Sequence, residues 1–239
     1  MPLYVKENRI IHHIHIPMCA GVSISELLIS NGWTKMKIPV PEVFEDLFTY
    51  EKRRGEWEPL YIEHEHTDIW KSWFGLPAMA PEFQFAVVRN PYERFDKSLI
   101  KLSKKESAIK WIGKIDAETT YKPPKVWLDK LLLLLMTGRY SIEDNLFCPQ
   151  SLFLEDGVMV YKVENGLANL IEDFERLDIV KKGSTLKHLN KSPINLKIKA
   201  PWHEKEYEPE KTLFEDFYDL DFKNLDYIKR EFIGESTRE

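Results

Sequence analysis

Residues Ile10 to Ile24, I-I-H-H-I-H-I-P-M-C-A-G-V-S-I, constrain this chain more than any other stretch. A run of strand character enters Pro17, crosses a loop of small residues and meets Ser23, a good N-cap. Ile24, Leu27 and Leu28 follow at helical spacing, and Asn31-Gly32 supplies the stop. A strand, a tight loop and a helix start in succession turn backbone N–H groups and the positive end of a helix dipole toward one point. The stretch therefore predicts a P-loop-like strand–loop–helix that holds a phosphate. It has no G-x-x-x-x-G-K-[ST], so it is not a Walker A loop.

Phe83 to Phe95, F-Q-F-A-V-V-R-N-P-Y-E-R-F, is the second informative stretch. A near-continuous apolar run is the mark of a buried parallel strand, and this one stops at Arg89. Pro91 suits the first turn of a following helix. In open α/β sheets ligands bind beyond the carboxyl ends of the strands, which would put Arg89 on the edge that carries the 17–22 loop. A guanidinium there can grip a phosphate with two N–H groups. The plainer reading pairs Arg89 with Glu93 or a carbonyl.

With 239 residues the chain suits one α/β domain over 1–239: a central parallel β-sheet flanked by helices. A net charge of −5 argues against a broad nucleic-acid or anionic-membrane footprint, though a local basic pocket is compatible with it. Two cysteines, Cys19 and Cys148, do not make a disulfide framework. The start M-P-L-Y-V-K-E-N lacks the apolar core of a signal peptide, and the longest apolar run, Leu131 to Met136, is far too short to span a membrane. These features predict a cytoplasmic protein with no membrane span. The polar, basic, proline-terminated stretch 103–125 reads as an inserted loop, and Val126 to Met136 as a buried helix.

The two stretches resemble those of sulfotransferases that use 3′-phosphoadenosine 5′-phosphosulfate (PAPS). The family's 5′-phosphosulfate loop, H-I-P-K-T-[AG]-G-T-S-[IL], is matched by His15, Ile16, Pro17, Ala20, Gly21, Ser23 and Ile24, and departed from at Met18, Cys19 and Val22. Its 3′-phosphate motif, V-R-[DN]-P-[YV]-E-R, is similar to Val88 through Arg94. The family serine falls where this chain has Lys97, with Ser98 one step further; either takes its place. Pro149-Gln150-Ser151 resembles the P-Q-S of carbohydrate sulfotransferases, and Val158–Val163 with Glu164-Asn165 their strand followed by E-N. Leu186 to Ser192 is similar to the loop that closes over the nucleotide, bringing in Asn190 and Lys191. Tyr218, Asp221, Phe222 and Tyr227 match the closing Y-x-x-D-F-x-x-x-x-Y. The resemblance, strongest to the heparan sulfate 2-O-, uronyl and chondroitin types, implies transfer of a sulfuryl group from PAPS to a hydroxyl, with a glycan as acceptor and PAP as product.

An acceptor hydroxyl has to lose a proton, and His64 and His66 stand at i and i+2 on a predicted strand, facing one side. Related enzymes carry H-G-H here, with Glu65 replacing the glycine in this chain. His66 is the favoured base, then His64, with Glu63 and Glu65 behind them. His13 and His15 form a second pair that could join the first around Zn²⁺ or Cu²⁺; the resemblance implies no metal, and local hydrogen bonding is the preferred reading. Met18 stands where the family lysine neutralises the leaving oxygen. Lys35, Lys37, Lys97 or Lys191 could replace that charge. Otherwise catalysis is slow, or the chain binds PAPS or PAP without transferring sulfate. A small-molecule kinase is disfavoured by the missing Walker lysine and the lack of a clear Mg²⁺ carboxylate.

Overall fold

The computed structural model describes residues 2–36, 52–53, 56–57, 81–102, 123, 125–138, 145–187, 202 and 204–229. They fall into two compact units, Met1–Val88 with Phe153–Leu189, and Arg89–Leu152 with Asn190–Glu239. The strands are β1 (Leu3–Lys6), β2 (Arg9–Ile14), β3 (Thr34–Lys35), β4 (Lys52–Arg53), β5 (Glu56–Trp57), β6 (Phe83–Val88) and β7 (Met159–Lys162). The helices are α1 (Gly21–Ser30), α2 (Pro91–Leu102), α3 (Lys125–Met136), α4 (Ala168–Arg176), α5 (Glu208–Phe217) and α6 (Asp219–Asn224).

The first unit is mixed α/β. Its main sheet runs β3-β1-β2-β6-β7 among the described residues, beside a small β4-β5 ribbon. β2 pairs with β6 in parallel, Ile14 opposite Ala86, and β6 with β7 in parallel, Val88 opposite Lys162. β1 is antiparallel to both β2 and β3. The sheet is thus a parallel trio with an antiparallel flank, not parallel throughout as the sequence reading had it. Glu7-Asn8 explains the difference. A two-residue turn, here with Glu7 at φ 55°, joins only antiparallel neighbours, because a parallel crossover takes a dozen residues or more.

β6 is buried from Phe85 to Val88, as its apolar run requires of a strand with neighbours on both sides. α1 buries Ile24, Leu27 and Leu28, and Ser25 shares a hydrogen bond with Tyr4 of β1. α4 sets Phe174 edge-on against Phe83 and Phe85, with ring centres 6.0 and 5.1 Å away. Arg9 grips Glu82 and donates to the carbonyls of Leu177 and Asp178, closing the C-terminal end of α4. Trp33 donates from Nε1 to Ile179.

The second unit packs α2, α5 and α6 around an aromatic core. Trp202 lies 4.5 Å from Phe214 between ring centres, Tyr92 5.0 Å from Phe214, and Phe95 5.3 Å from Phe147. α3 buries Leu128, Leu131, Leu132 and Leu135 but exposes Val126, Leu133, Leu134 and Met136. The expectation of a buried helix over 126–136 holds for one stripe only. No helix among the described residues is long and apolar enough to cross a membrane.

Candidate functional site

The loop between β2 and α1 has the backbone of a tight anion cradle. Helix α1 begins at Gly21, two residues before the Ser23 cap that the sequence predicts, and Ser23 is a buried residue of its first turn. The N-cap is Ala20, left-handed at φ 62° and ψ 12°, and no side chain caps the helix. Met18 is left-handed too, at φ 67°. Left-handed geometry costs a residue with a Cβ roughly 1–2 kcal/mol, so two such residues in three mark a loop held in shape by its surroundings. A left-handed residue followed directly by helical Gly21 is the alternation that aims successive N–H groups at one point. The first turn of α1 has no acidic side chain to oppose an anion.

His15 enforces this geometry. A Cβ built on Gly21 would lie 1.9 Å from His15 Nε2, so any side chain there must displace the imidazole. His15 in turn stacks on His13 at 5.3 Å between ring centres, and His13 on Phe85 at 4.7 Å. Phe85, His13 and His15 therefore form a ring stack that ends at the loop. Pro17, Cys19 and Ile24 are buried, Met18 and Ala20 half-buried, and Val22 is exposed. Among the described residues no group of three or more His, Cys, Asp or Glu is arranged to hold a metal.

Because β2 and β6 are parallel neighbours, the chain leaves both strands along one edge of the sheet. Arg89 is the residue after Val88. Its side chain is 17% exposed, and its guanidinium lies 4.0 Å from the half-exposed carboxylate of Glu93, a separation at which an ion pair contributes little. Lys97 is exposed on α2. Ser98 is fully buried and donates its hydroxyl hydrogen to the Leu146 carbonyl at 3.0 Å.

The backbone of Arg89 is held by a side chain that the sequence reading matched but gave no role. Gln150, fully buried, accepts from Arg89 N–H at Oε1 and donates from Nε2 to the Arg89 carbonyl, both at 2.8 Å. Asp221, also fully buried, accepts from the N–H groups of Gln150 and Ser151 at 2.9 and 2.7 Å and from Gln150 Nε2 at 3.3 Å. Arg94 donates to the carbonyls of Cys148 and Leu146, and Tyr218 to that of Phe147. The only sequence signals for this network are the Pro149-Gln150-Ser151 triplet and the Tyr218, Asp221, Phe222 spacing.

His64, His66, Glu63, Glu65, Lys37, Asn190 and Lys191 lie outside the described residues; Lys35 is on β3. No protein-family model, no curated protein and no solved structure matches this chain.

Proposed function

We propose that this chain is a PAPS-dependent sulfotransferase acting on a hydroxyl, with a carbohydrate as the acceptor class. The observation that carries the reading is the loop before α1: a left-handed Ala20 opening an uncapped helix, with Gly21 kept free of a side chain by His15. It coincides with the residues that resemble the family's 5′-phosphosulfate loop. The parallel trio β2, β6 and β7 then serves as the heart of a P-loop-like nucleotide-binding sheet.

In this reading the N–H groups from Ala20 to Ser23 hold the 5′-phosphosulfate, and Arg89 takes the 3′-phosphate. The acceptor oxygen attacks sulfur as the bond from sulfur to the bridging phosphate oxygen breaks, and PAP leaves. His66, or His64, takes the acceptor proton. The cradle's fixed dipoles face the phosphate side, where charge grows in the transition state.

Met18 favours a second reading, a chain that binds PAPS or PAP without efficient transfer, since a thioether cannot neutralise the leaving oxygen. Incubation with sulfur-35 PAPS and a panel of glycans tests the pair. Labelled glycan supports the enzyme. Met18→Lys should then raise kcat about tenfold or more, with little change in nucleotide affinity, if no other cation serves that oxygen. Nucleotide binding without label in either protein favours the binding module for those glycans. Absence of nucleotide binding removes both.

A further inference from the structure

From the buried pairing of Gln150 with Arg89 we infer that Gln150 and Asp221 form a positioning relay, which sets the Arg89 backbone so that its guanidinium meets the 3′-phosphate of the nucleotide. This rests on the proposed role of Arg89.

The geometry is that of a clamp. One side-chain amide satisfies both the N–H and the C=O of Arg89 at 2.8 Å, as a neighbouring strand would, at the residue where strand β6 has just ended. Gln150 cannot rotate away, because Asp221 holds both its main-chain N–H and its Nε2. The segment 145–151 belongs to no helix or strand before Gln150, and three successive carbonyls in it are met by side chains: Arg94 and Ser98 on Leu146, Tyr218 on Phe147, Arg94 on Cys148. Every one of these groups is buried. Asp221 lies on α6, 132 residues from Arg89 along the chain, so the relay ties the closing helix to the motif residue. Anion recognition by a guanidinium fork depends on its direction, and a displacement of about 1 Å is enough to lose much of it.

The test compares the two nucleotides that differ only in the 3′-phosphate. Calorimetric titration of the full chain with adenosine 3′,5′-bisphosphate and with 5′-AMP gives a discrimination ratio for wild type, Gln150→Met and Asp221→Asn. Both variants should lower affinity for the bisphosphate by roughly tenfold, while affinity for 5′-AMP changes less than about twofold. A structural defect alone would weaken both nucleotides together. A variant that keeps the wild-type ratio overturns the relay and leaves the nucleotide reading standing. A wild type that binds both nucleotides equally overturns the assignment of Arg89, and the relay with it. Hydrogen exchange on the wild type needs no variant: the Arg89 amide should exchange with the slow core amides of β6. Exchange at the rate of an exposed loop amide overturns the relay.

Discussion

His12 stands on β2 with 3% of its surface exposed, opposite Leu3 on one side and Gln84 on the other. Burial lowers its pKa from 6.5 to about 4, since the interior disfavours imidazolium. In the unfolded chain the ring takes its proton near 6.5, so between those values the unfolded state binds more protons and stability rises with pH. The contribution is complete above about pH 6.5 and is lost as pH falls toward 4, amounting to about 3 kcal/mol at most. Urea midpoints of wild type should therefore fall steeply between pH 6.5 and 4.5, and those of His12→Gln should fall less. Parallel curves for the two proteins would remove His12 as the source. The sequence draws the eye to His13 and His15 because their i, i+2 spacing suggests a metal. It cannot say that their rings stack, or that burial holds the neighbouring His12 well below the usual imidazole range. Gly21 is a similar case: the motif shows that a glycine stands there, and only the fold shows that His15 requires it.

Elements were legible where periodicity alone decides them. β6, β7 and the C-terminal end of α1 lie where apolar runs and helical spacing put them, within a residue or two. The start of α1 was misread because Ser23 has the chemistry of a cap, whereas the left-handed Ala20 turns the chain into the helix without one. The segment 145–151 has no period to read. It is ordered by side chains from α2, from α6 and from Tyr218 between α5 and α6, which is why Gln150 and Asp221 read as letters and not as a relay. Arg94 is one of those braces, 1% exposed and bonded to two buried carbonyls. Arg94→Met should remove the Arg94 donor from the Cys148 carbonyl and leave that of Leu146 to Ser98, at a cost of about 2–3 kcal/mol by chemical denaturation. Arg176→Met, which removes an exposed pair with Asp173 on α4, serves as the control and should change little. Equal losses would show that the carbonyls of 145–151 do not depend on Arg94.

At the scale of the molecule, the sequence indicated mixed α/β architecture through strands alternating with helices, and the turn at Glu7-Asn8 held the sign of an antiparallel flank. The division into two units was not legible. The chain leaves the first unit after Val88 and returns at Phe153, inside a motif at one end and a short 3-10 turn at the other, and neither place has the composition of a linker. A functional reading of the whole chain makes one demand that any purified sample can meet. A ligand present at a hundred times its dissociation constant stabilises the folded state by about 2.7 kcal/mol. For a chain of this size that is roughly 5–10 °C in melting temperature. Adenosine 3′,5′-bisphosphate should give a shift of that order. At the same concentration 5′-AMP should give a smaller one, because it offers Arg89 no phosphate. The net charge of −5 opposes any bulk attraction of anions, so inorganic phosphate and sulfate should give less than either nucleotide. Equal shifts for the two nucleotides would take the 3′-phosphate away from Arg89. A shift with inorganic phosphate as large as that with the bisphosphate would reduce the loop before α1 to an anion site with no preference for a nucleotide.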